Sequence, residues 1–202
     1  PPHQPSDPTV RSIGQALWVL ATANLTMVTM MAVYPSHLHH TGHSLGLTSI
    51  IVSAHVGSMF AASSMLGRWT DLHGAKRVAT LGAATTATSC VLTATLPTDD
   101  ARVAALALVV LGVGWNAQLI AGSALLTAHT RSEGRRAQLE SHGEIVMSAA
   151  AAAGALVLAP VLVSQTDIRT LAATMIPLHS IVTASTLLPR RHRHTLRLET
   201  TR

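Results

Sequence analysis

Two pairs of side chains in this sequence could bind a metal. Met27 and Met31 are four residues apart, as are His55 and Met59, so on a helix each pair presents two donors on one face. Thioether and imidazole together suit soft or borderline ions, Cu(I) above all, and suit Mg2+ or Ca2+ badly. Between the pairs lies PSHLHHTGH, residues 35–43, which carries His37, His39, His40 and His43 and no Asp, Glu, Lys or Arg. Neutral imidazole is a good ligand for borderline metals, and His39 and His43 repeat the four-residue spacing. Each feature also has a purely structural reading. Methionine fills gaps in apolar helices, a hydrogen bond to Asn24 or a nearby carbonyl would make His55 structural, and an exposed histidine turn need bind nothing tightly.

The elements that must position these donors follow from composition. Of 202 residues, 48% are hydrophobic and only 11% charged, against about a quarter charged in an ordinary soluble domain. No Asp, Glu, Lys or Arg occurs in 12–67, 78–98, 103–130, 145–166 or 170–189. A membrane-crossing helix needs roughly 20 apolar residues. The last four runs each hold one such helix, and the first holds two with a turn between them. None shows the charged face that a helix of a soluble bundle would carry. The expected fold is an all-α integral membrane bundle with helices near 13–34, 45–66, 78–96, 103–128, 138–164 and 168–188.

Pro35 is the expected end of the first helix, and Asp100 a cap for the fourth. Pro160 and Pro177 are expected to kink the last two. Residues 1–12 read as a polar linker, 13–188 as one transmembrane domain and 189–202 as a basic tail. The start, PPHQPSDPTV, has neither an initiator Met nor a signal-peptide layout, which reads as a piece of a longer protein. The lone Cys90 sits in an apolar run, where packing is its expected role.

Of the 14 basic residues, only Arg102 and Arg169 fall on one side of the expected bundle. The positive-inside rule then puts both termini in the cytoplasm and PSHLHHTGH outside, in a multi-pass protein of the cytoplasmic membrane. The pI near 11 therefore reflects topology, and the basic tail is expected to face anionic lipid, not nucleic acid. No nucleophile–base spacing, phosphate-binding glycine loop or ATP motif is present, which argues against an enzyme.

Between the second and third expected helices the chain reads GRWTDLHGAKR. Gly67, Asp71, Gly74, Lys76 and Arg77 resemble the signature cytoplasmic loop of the major facilitator superfamily, with Leu72 and Ala75 where basic residues are usual. The stretch 111–138 resembles a late helix and loop of the same superfamily. This resemblance covers 13 to about 188 and implies the C-terminal six-helix half of a transporter, built as a 3+3 inverted repeat, whose N-terminal half is the missing partner.

NLTMVTMMAVYPSHLHHTGHSL followed by SAHVGSMFAASSMLGR is similar to the CcoA-like copper importers within that superfamily. That resemblance implies Met27, Met31, His55 and Met59 as ligands for copper as substrate, with no resident cofactor. By helical rise, Met31 and Met27 are expected roughly 27 and 21 Å above the cytoplasmic end of their helix. On the same rise, His55 and Met59 fall near 18 and 12 Å, giving a descending ladder. Proton-linked efflux of small organic molecules, with Glu144 in proton coupling, is the alternative within transport. Outside transport, the alternative is a transport-inactive truncated membrane protein.

The expected topology is open to a labelling test. With Cys90 replaced by Ser, a cysteine at Thr41 should react with an impermeant maleimide in intact cells, and one at Gly74 should react only after lysis. The reverse pattern would invert the assignment.

Overall fold

A computed structural model describes residues 10–128, 130, 132–160 and 167–187. All its regular elements are helical: α1 Val10–His40, α2 Leu45–Ala61, α3 Ser63–His73, α4 Ala75–Thr95, α5 Ala101–Thr127, α6 Glu133–Ala153 and α7 Ile168–Leu187. Six helical spans among the described residues are long and apolar enough to cross a membrane, with α2 and α3 forming one of them. Residues 1–9 of the linker 1–12 and the whole basic tail 189–202 lie outside the described residues, and α1 already begins at Val10.

Two expected boundaries are corrected. Pro35 does not end α1, which continues to His40. Proline removes one N–H, the one that would bond the carbonyl of Met31. Tyr34 and Leu38, both fully buried in the largest apolar cluster, hold the helix across that gap. The second expected helix does not end at residue 66. After a break at Ala62 it resumes as α3 to His73, so Gly67 and Asp71 are helical and only Gly74 forms the turn. Gly74 has φ +86°, a region that disfavours every residue with a Cβ. No side chain caps α4.

Asp100 does cap α5, accepting from the Arg102 N–H at 2.8 Å. Near Pro160 the chain solves its missing N–H differently from a simple kink. A π-helical turn, Gly154–Leu158, precedes it, and the Ala159 N–H bonds the Gly154 carbonyl five residues back.

α5 is the centre of the bundle and touches α1, α2, α3, α4 and α6. The contacts exchange between the first three spans and the last three: α1 packs on α6 as α2 packs on α5, while α1 with α5 and α4 with α7 are paired across. That is the pattern of two three-helix units related by a pseudo-two-fold axis. Two ends can be told apart. At one, Gln15 Nε2 donates to the Ser185 carbonyl at 2.8 Å, joining the start of α1 to the finish of α7. At the other, Arg169 Nη2 donates to the Leu96 carbonyl at 2.8 Å, and His43 donates to the Asp99 carbonyl at 2.8 Å.

The α4–α5 contact is close enough to depend on glycine. A Cβ on Gly114 would lie 2.5 Å from Thr86 Oγ1 and 2.7 Å from the Thr86 backbone nitrogen. Gly67, by contrast, faces open space on the helical α3. Gly114→Ala should therefore cost about 1–3 kcal/mol by overpacking. Gly67→Ala should instead be neutral or gain up to about 1 kcal/mol in helix propensity. Thermal unfolding in detergent reads both, and equal effects would contradict this packing.

Candidate cargo site

The four donors named by sequence are not brought together as a ladder. Met59 and Trp115, 9% and 7% exposed, form a small cluster with Ala23, and Met27, Leu119 and Met147 pack against it. Met31 lies elsewhere, against the cluster of Met30, Tyr34 and Leu38. The reason is the length of the second span. Carrying it seven residues past 66 raises His55 and Met59 together by about 10 Å relative to the expected register, which replaces the descending ladder by His55 near the expected level of Met31 and Met59 near that of Met27.

Hydrogen bonds fix that level. Trp115 Nε1 donates to Asn24 Oδ1 at 3.0 Å, and Asn24 Nδ2 donates to the Met147 carbonyl at 2.9 Å. One α1 side chain thus ties α5 and α6 together. Three residues along α1 from Asn24, Met27 lies about 4.5 Å nearer the His43 end. Three residues back along α5 from Trp115 is Gly112, where a Cβ would sit 3.2 Å from Met59 Cγ and 2.9 Å from the His55 carbonyl. Ser58 Oγ also donates to the carbonyls of His55 and Val109, at 2.6 and 3.1 Å. The missing Cβ at Gly112 therefore sets how close α2 and its two donors come to α5.

His55 is one turn above Met59 and 1% exposed. Its Nδ1 donates to the Leu108 carbonyl at 2.7 Å, so the carbonyl bond of the structural reading is present, with Leu108 and not Asn24 as the partner. The opposite nitrogen, Nε2, is buried without a hydrogen-bond partner among the described residues. A neutral imidazole held by Nδ1–H on a carbonyl, with its Nε2 lone pair free, is the tautomer that metal-binding histidines use.

The four histidines of PSHLHHTGH divide. Pro35 to His40 is helical, and His37 meets Tyr34 edge-on with ring centroids 6.4 Å apart. His39 and His40 are exposed neighbours with centroids at 6.2 Å. His43 staples its turn to Asp99. Among the described residues no group of three or more His, Cys, Asp and Glu side chains could hold a metal. The set also stands about 15 Å along α1 from Met27, taking ten residues to His37.

Glu144 is exposed and borders a small cleft with Glu140, Gly143 and Met147. Arg136 pairs with Glu140 at 3.0 Å, not with Glu144. Met147 was not singled out by spacing because it has no donor partner four residues away. Its only sequence signal is a large side chain just before Ser148 and five alanines.

Residues 16–202 match the Major Facilitator Superfamily, and the chain belongs to that family of multi-pass membrane transporters, which are not enzymes. It is 31% identical over 142 residues to a Bacillus subtilis (strain 168) protein described as "Uncharacterized MFS-type transporter YddS", covering 70% of this chain and 32% of that one. A second protein of the same organism, "Uncharacterized MFS-type transporter YdeG", is 30% identical over 136 residues, covering 67% of this chain and 31% of its own length. The chain thus matches about a third of the length of these relatives.

Asn24→Ala should strand the Trp115 indole N–H and cut the tie to α6. The expected cost is about 1–3 kcal/mol, read as a lowered unfolding temperature, whereas Asn24→Ala with wild-type stability would contradict the bridging role.

Proposed function

We propose that this chain is the C-terminal six-helix half of a facilitator that moves a small solute across the cell membrane, with Cu(I) as its cargo. The observation that carries the reading is the packing of Met27 against the Met59–Trp115–Ala23 cluster, with Met59 one turn below a buried His55 whose Nε2 has no partner among the described residues. An intramembrane imidazole is costly unless used, and two thioethers beside it select a soft ion. Twelve of the 14 basic residues support cytoplasmic termini, so His55 would receive the ion from the outer side and the thioethers would hold it one turn deeper. The N-terminal half would close the other wall of the path, and rocking of the two halves would expose the site alternately to each side. No ATP motif is present, which supports a gradient as the driving force.

Cellular copper accumulation in the intact protein tests this. Met27→Leu with Met59→Leu, and separately His55→Ala, should each lower uptake by about tenfold or more, at least the loss seen when a metal site's supporting residues are removed. Unchanged uptake in all variants, with altered sensitivity to organic toxicants instead, would replace copper import by efflux.

A further inference from the structure

Met147 is the large side chain at the site that no motif predicts. It packs, as Met27 does, against the cluster of Met59, Trp115 and Ala23, so thioether side chains from α1, α2 and α6 gather at one cluster. Its backbone is anchored. The Met147 carbonyl accepts from Asn24, whose other atom accepts from Trp115, which fixes α6 at the level of the ring. That level is about one turn deeper than Met27 and Met59. Met147 is partly exposed and also lines the cleft that holds Glu140 and Glu144. Among the described residues it is therefore the one side chain shared by the thioether cluster and the cleft that holds Glu140 and Glu144.

We infer that Met147, not Met31, is the third sulfur ligand of the cargo ion, completing a thioether set with Met27 and Met59 and handing the ion toward the Glu144 cleft. This rests on the copper reading above. The chemistry requires no redox step: a Cu(I) ion exchanges one neutral sulfur donor for another, and no bond within the protein breaks. A third neutral soft donor strengthens preference for Cu(I) over Zn2+ without adding charge to the bilayer interior. Ligands drawn from three helices also make ion binding sensitive to how those helices move, which a site confined to α1 and α2 would not be.

The test compares Met27→Leu, Met59→Leu, Met147→Leu and Met31→Leu in the purified intact protein, with Cu(I) bound in competition with a chromogenic Cu(I) chelator. Leucine keeps the packing volume, and Met30→Leu, in a separate buried cluster, controls for loss of any methionine. Expected is a weakening of about tenfold or more for M27L, M59L and M147L, with M31L and M30L near wild type. Copper X-ray absorption should count one fewer sulfur neighbour in M147L than in the wild type, which a merely structural role would not change. If M27L and M59L weaken binding while M147L keeps wild-type affinity and sulfur count, the inference about Met147 is overturned and the copper reading stands. If none of the variants weakens binding, both fall.

Discussion

The structure depends on how closely other helices approach α5. In hydrocarbon, apolar side chains gain nothing by leaving lipid for protein, so helix association rests on packing and hydrogen bonds between close backbones. Gly112 and Gly114 supply that closeness on two faces of one helix. At Gly114 the α4 backbone comes so near that a single methyl would strike Thr86, and at Gly112 the same holds for His55 and Ser58 of α2. Everything about the candidate site follows from the second contact. It sets the height of α2, presents the Leu108 carbonyl to His55 and delivers Met59 to Trp115.

Polar groups inside the bundle obey the same economy. Gln118 donates to Thr86, Asn116 to Ser63, Ser89 to the Ala107 carbonyl, and Tyr34 pairs with Thr93. Each bond crosses between spans, so buried polarity works as register. Asn24 is the strongest case, because it uses both ends of its amide to join three helices. His179 is tied to Thr26 in the same manner on the opposite side of α1. Gln118 Oε1 and His179 Nδ1 are also buried without a partner among the described residues, and the open Nε2 of His55 differs from them in lying one turn from Met59.

Much of this was legible in the sequence. The uncharged runs gave six spans because charge in a membrane helix is too costly to hide, and Asp100 read correctly as a cap. The pair spacings at Met27/Met31 and His55/Met59 correctly placed each pair on one helix. They could not say which helix lies between the pairs. α1 and α2 barely touch, with α5 the shared neighbour of both, so helix length alone could not set the donors' relative heights. Pro35 misled because burial of Tyr34 and Leu38 outweighs one lost hydrogen bond, and GRWTDLH misled because charge in a sequence marks a membrane boundary, not a helix end. Met147 was invisible for a simpler reason: a single residue has no spacing to detect.

The central claim is that a soft ion sits against Trp115 between α1, α2 and α6. It is tested most directly by the fluorescence of Trp115 in the intact protein with Trp18 and Trp69 replaced by Phe, as Ag(I), a redox-inert stand-in for Cu(I), is added. The account predicts saturable quenching that reaches its limit at one ion per protein. Trp115 emission that stays constant while Ag(I) binds would contradict it.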